Sequence, residues 1–110
     1  MIPVEWTYDE FLTFVLIYTA FADYEIFEEQ KELITHKVSS KKYKELLDYF
    51  MQNDDAINIS LINELKNEYL KSQDDIDNML DTIFEIIKVN GFVNKLEKET
   101  YDNLKFILNM

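Results

Sequence analysis

From Phe11 to Ala22 the chain is apolar at every position except two threonines, and downstream its apolar residues recur at helical spacing. Such a run reads as a helix that is apolar nearly all round and so sits at the centre of the fold. Thr7 and Glu10 fit a capping box ahead of it, with Trp6 and Phe11 at the staple positions. The pattern predicts a second helix over Ile26 to Lys37 and a third from Ser39 or Ser40 to about Gln52. A turn at Asn53-Asp54-Asp55 separates these from a fourth over about Ser60 to Leu70. A fifth starts at Ser72, with Ile76, Leu80, Ile83 and Ile87 as its buried stripe. It stops at Asn90-Gly91, where a left-handed residue ends a helix cheaply. A sixth begins at Asn94 with Glu97 as its capping partner, and carries Leu96, Tyr101, Leu104, Ile107 and Leu108.

Two parts of this pattern look like one unit written twice. Ala22-Asp23-Tyr24-Glu25-Ile26 and Val89-Asn90-Gly91-Phe92-Val93 each follow an apolar helix and open an amphipathic one. Seven residues past Asp23 stands Gln30, and seven past Asn90 stands Glu97. The expectation is an all-α, single-domain bundle of about six helices containing two pseudo-repeated helix-turn-helix units. One Gly and one Pro in 110 residues agree with that, since all-β folds need many turn residues.

Charge narrows the partners. The formal net charge is -11, which repels nucleic-acid phosphate and anionic lipid. All eleven basic residues are Lys, so the bidentate guanidinium fork is missing. There is no Cys, which removes disulfides, thiolate zinc sites and cysteine nucleophiles. The apolar run is shorter than the roughly 20 residues a bilayer requires. It is flanked by Glu5, Asp9 and Glu10 where a signal peptide would be basic. The reading is a cytoplasmic protein that binds no nucleic acid and spans no membrane.

Four groups could carry chemistry. The paired turns come first. Aligned on a calcium-binding EF-hand loop, the second turn puts Glu97 at the last ligand position but Ile86 and Lys88 at the leading ones. The first puts Thr19 and Phe21 in front and Gln30 behind, so neither is an EF-hand. Asp23 and Asn94 then read as helix caps and Gly91 as a helix end. The second group is the acidic stripe Asp74, Asp77, Asp81 and Glu85 on the fifth helix. It reads as a solvated face, or as a surface for cations or a basic partner. Carboxylates without His or Cys suit Ca²⁺, Mg²⁺ or Mn²⁺ better than Zn²⁺. The third is His36, the only histidine, which has no nucleophile and acid around it to make a triad. The fourth is Lys37, Lys41, Lys42 and Lys44, the one basic patch, suited to an acidic partner or to another copy's acidic face. Tyr24, Phe27 and Phe92 near the turns add a candidate aromatic contact surface. No glycine-rich phosphate loop or paired catalytic carboxylates can be read, so the expectation is a non-enzyme.

The turn pattern, an apolar helix, then Ala-Asp-Gly-x-Ile/Val, then an acid-rich helix, repeated near the C-terminus, resembles the bacterial TerB-like tellurite-resistance domain. The residues that carry the resemblance are Ala22-Asp23-Tyr24-Glu25-Ile26 with Glu28 and Glu29, and Asn90-Gly91-Phe92-Val93-Asn94 with Glu97. They span about Glu10 to Leu108. Tyr24 replaces the first glycine and Asn90 the second aspartate. The resemblance implies an all-α bundle, a cytoplasmic stress-response role and contacts with partner proteins. It also implies a divalent cation (Ca²⁺, Mg²⁺ or Mn²⁺) at acidic turn residues: Asp23, Glu25, Glu28, Glu29, Asn90, Asn94 and Glu97. The alternative is a metal-free helical interaction module that self-associates as a homo-oligomer or docks a partner through Tyr24, Phe27, Phe92 and the lysine patch.

Overall fold

The computed structural model describes residues 5–23, 25–89, 91 and 94–110, with the side chain of Asp23 outside that description. Tyr24, Asn90, Phe92 and Val93 therefore lie outside the described residues. Among those described, six α-helices form: α1 (Tyr8–Ala20), α2 (Glu28–Thr35), α3 (Ser40–Gln52), α4 (Asp55–Tyr69), α5 (Gln73–Lys88) and α6 (Lys95–Leu108). A 3₁₀ turn (Phe21–Asp23) follows α1. The radius of gyration is 12.8 Å, close to the roughly 13 Å expected for one domain of this length.

Helix α1 is the axis of the bundle and packs against all five other helices. Its Phe11, Phe14, Val15, Ile17 and Ala20 are wholly buried. Thr13 and Thr19 are buried too, and each hydroxyl donates one turn back, to Asp9 O at 2.7 Å and Val15 O at 2.9 Å. A threonine on a helix with no solvent face is tolerated this way, because the preceding carbonyl satisfies it. The capping box at its start forms as the sequence predicts, with Thr7 N–H on Glu10 and Glu10 N–H on Thr7. Trp6 lies against Phe14, with ring centroids 4.9 Å apart, and edge-on to Tyr49. The Tyr69 hydroxyl donates to Trp6 O, which ties α4 to the segment entering α1.

The other helices bury one stripe each. On α5 it is Met79, Leu80, Ile83, Ile86 and Ile87, while Asp74, Asp77, Asp81 and Glu85 are exposed opposite. The acidic stripe is thus a solvated face, and His36 is exposed at the end of α2. Helix α4 starts five residues earlier than the expected Ser60, because Asp54 caps it through the Ile57 amide at 2.9 Å. Its first turn is inverted: Ile57 is exposed, while Asn58 is buried and donates to Phe50 O at 3.1 Å. Helix α2 is shorter than expected; Ile26 precedes it and Lys37 follows it. Leu96 on α6 is half exposed rather than part of the core.

Candidate functional site: the joined helix starts

The two repeated units meet at the N-termini of α2 and α6. At the α6 end Asn94 and Glu97 form a capping box, Asn94 Oδ1 accepting from Glu97 N–H at 2.8 Å and Glu97 Oε1 accepting from Asn94 N–H at 3.4 Å. At the α2 end only half a box exists. Gln30 Oε1 accepts from Phe27 N–H at 3.0 Å, but Phe27 has no side-chain acceptor to return the bond. Gln30 and Glu97 are each the third residue of their helix, the same position in their boxes, and both are wholly buried.

Gln30 Nε2 donates to Glu97 Oε2 at 3.1 Å, across 67 residues of sequence. The same nitrogen donates to Ile86 O at 3.1 Å, on the last turn of α5. The carboxamide thus has its oxygen on a donor and its nitrogen on two acceptors. The flipped orientation would set donor against donor and acceptor against acceptor, so the surroundings fix the amide. The seven-residue spacing from the turns to Gln30 and Glu97 therefore marks a clamp that fastens the two units together.

The remaining sequence candidates distribute as follows. Glu25, Glu28 and Glu29 are exposed beside the first turn, Asn94 is half-buried and engaged in its cap, and Glu97 is buried in the clamp. Asp23's side chain and Asn90 lie outside the described residues. Among the described residues no group of three acidic, His or Cys side chains is placed to hold a metal ion. Gly91 has φ +95°, the left-handed conformation expected for it, and donates to Lys88 O at 3.0 Å.

Of the contact candidates, Phe27 is half-buried at the start of α2, and Tyr24 and Phe92 lie outside the described residues. Lys37, Lys41 and Lys44 are exposed. Lys42 has partners in its own chain: it bridges Glu10 of α1 and Glu45 of α3, each at 3.1 Å. The Thr7 amide, then Lys42, hold the Glu10 carboxyl below its ordinary range. Burial, then Asp55, push the Tyr18 phenol up to about 12.

Two features escaped sequence reasoning. Lys66 is buried and its ammonium donates to Ile107 O at 2.6 Å, capping the negative end of α6. Two hollows meet at Phe21 and Met51. One, of about 280 Å³, is lined by Tyr18, Phe50, Asn53, Asp55, Asn58 and Thr100 besides. The other, of about 330 Å³, is lined also by Ile26, Lys31, Tyr43, Leu47 and Asp48. Met51 is 56 % exposed between them. Neither feature has a local sequence signal, since the lysine contact joins α4 to α6 and the hollows draw residues from three or more elements.

No family model matches this chain, and no curated protein or solved structure matches it significantly. No helix among the described residues is long and apolar enough to cross a membrane.

Proposed function

We propose that this chain is a non-enzymatic, TerB-like helical domain that acts through protein contacts in a cytoplasmic stress-response system. The observation that carries this reading is the double hollow joined at Phe21 and Met51. A half-open surface whose joined centre is apolar, at Phe21, Phe50 and Met51, with polar groups around it, is where a partner gains by excluding water on so acidic a chain. The clamp supports it too, because Glu97 and Gln30 spend polar atoms on holding the bundle together.

Met51→Asp is the test. Met51 is mostly exposed, so the substitution places charge in the hollow without touching the core. Partners crosslinked by the wild-type protein in its native cells should be lost by Met51→Asp and retained by Phe106→Asp, an exposed apolar residue elsewhere. Equal capture by all three proteins would reject the hollow as the contact surface.

The second reading, a divalent cation beside the first turn, is favoured by exposed Glu25, Glu28 and Glu29 next to Asp23. It predicts that Ca²⁺, Mg²⁺ or Mn²⁺ raises the thermal midpoint over that in EDTA, and that Asp23→Ala or Glu25→Ala abolishes the rise. A ligand at a hundredfold excess over its Kd adds about 2.7 kcal/mol, a shift of many degrees in so small a domain.

A further inference from the structure

The smaller hollow has a chemistry of its own. Three aromatic rings form one end: Phe50 stands edge-on to Tyr18, centroids 6.3 Å apart, and to Phe21, centroids 5.5 Å apart. Oxygen-bearing side chains form the other: Asp55, Asn53, Asn58 and Thr100. Asn58 is fixed there by its bonds to Phe50 O and from Asn53 Nδ2, both 3.1 Å. No lysine is among the described lining residues, so the Asp55 charge is not neutralised from within the hollow. Aromatic rings and a carboxylate lining one small cavity suit a cation, and an alkyl stem suits the apolar side at Met51.

We propose that this hollow receives an arginine side chain of a basic partner protein, its stem along Phe21 and Met51 and its guanidinium at Asp55. The volume of about 280 Å³ suits one long side chain rather than a drug-sized ligand. A guanidinium stacks on rings and takes carboxylate and amide acceptors in one plane, which a compact ammonium does less well. The net charge of -11 draws such a partner in. The proposal rests on the reading of this domain as an interaction module and names the chemistry of its partner.

The probe is the blocked tripeptide Ac-Ala-Arg-Ala-NH₂, titrated against the intact protein and followed by amide chemical shifts. Its control is the citrulline peptide, which has the same shape and no charge. Saturable shifts centred on Tyr18, Phe21, Asp55, Asn58 and Thr100 are expected, at least tenfold weaker with citrulline and with Asp55→Asn, and kept by Asp55→Glu. Thermal melting checks that both variants fold. Shifts scattered over the acidic surface, or unchanged in Asp55→Asn, would overturn the proposal. So would the same shifts on concentrating the protein alone, since the occupant would then be a second copy. A cellular partner lost by Met51→Asp but kept by Asp55→Asn would sink the arginine pocket and leave the interaction reading standing. Peptide binding without any cellular partner would do the reverse.

Discussion

Removing the Gln30 side chain tests whether the clamp holds the two repeated units together. Gln30→Ala deletes three hydrogen bonds, to Phe27 N–H, Ile86 O and Glu97 Oε2, all of 3.0–3.1 Å. A protein hydrogen bond contributes about 0.5–1.5 kcal/mol net, and one to a carboxylate sits at the upper end. Gln30 is wholly buried, so water does not simply replace it: Ile86 O and Glu97 Oε2 lose a donor and Phe27 N–H loses its acceptor. Alanine returns only a few tenths of a kcal/mol in helix propensity. The expected loss is roughly 3–4 kcal/mol, out of the 5–15 kcal/mol typical of a domain. Urea unfolding followed by far-ultraviolet circular dichroism measures it, and the midpoint temperature should fall by more than about 10 °C. Gln73→Ala is the control: it too loses amide bonds, to Asp77 and Asn109, but at an exposed site. It should cost no more than about 0.5 kcal/mol. If both variants cost the same, the buried pair is not a clamp, and the spacing that led to it has no structural meaning.

Lys66→Met keeps the stem and removes the ammonium that caps α6, so it should cost about 1–2 kcal/mol in the same urea assay. Gly91→Ala should cost about 1–2 kcal/mol; an added Cβ would meet nothing within 4 Å, so the loss is that of forcing φ +95° on an alanine. Acid should weaken the α1–α3 link through Glu10, whose folded pKa is lowered by the Thr7 amide and by Lys42. Near and below the usual glutamate value of about 4.3 the unfolded chain takes up the proton first, so stability falls as pH drops through that range. Glu10→Gln should flatten the slope of stability against pH there, and an unchanged slope would show that Glu10 does not contribute.

Six helices, the central place of α1, the end of α5 and the start of α6 were readable because each has a local cause: apolar spacing, the lone glycine, a capping pair. The start of α4 was not. Asp54 and Asp55 look like turn residues, and Ile57 outside with Asn58 inside inverts the pattern that marks a helix face. What decides that turn is Phe50 O, a backbone acceptor that composition cannot reveal. Lys66 misleads in the same way, since a lysine reads as solvent-facing until the end of α6 is set beside it. Gln30 and Glu97 were visible as equivalent positions, but that they touch depends on how the two units pack. Lys42 looked like part of a docking patch because its partner Glu10 lies on another helix.

The clamp also explains why its two positions carry different residues. A pair of carboxylates at this spacing would set like charges against each other with no donor between them, and one would tend to take up a proton. A carboxamide on the α2 side removes the repulsion and also serves Ile86 O, which needs a donor where a second carboxylate would offer only an acceptor. The carboxylate on the α6 side gains from the positive end of its own helix and from the Asn94 amide. Exchanging the two residues would therefore not be neutral, because it would set an acceptor against Ile86 O. A cation drawn to Glu97 Oε2 would compete with the Gln30 amide for that buried oxygen, whereas Glu25, Glu28 and Glu29 are exposed and could be approached without disturbing the clamp.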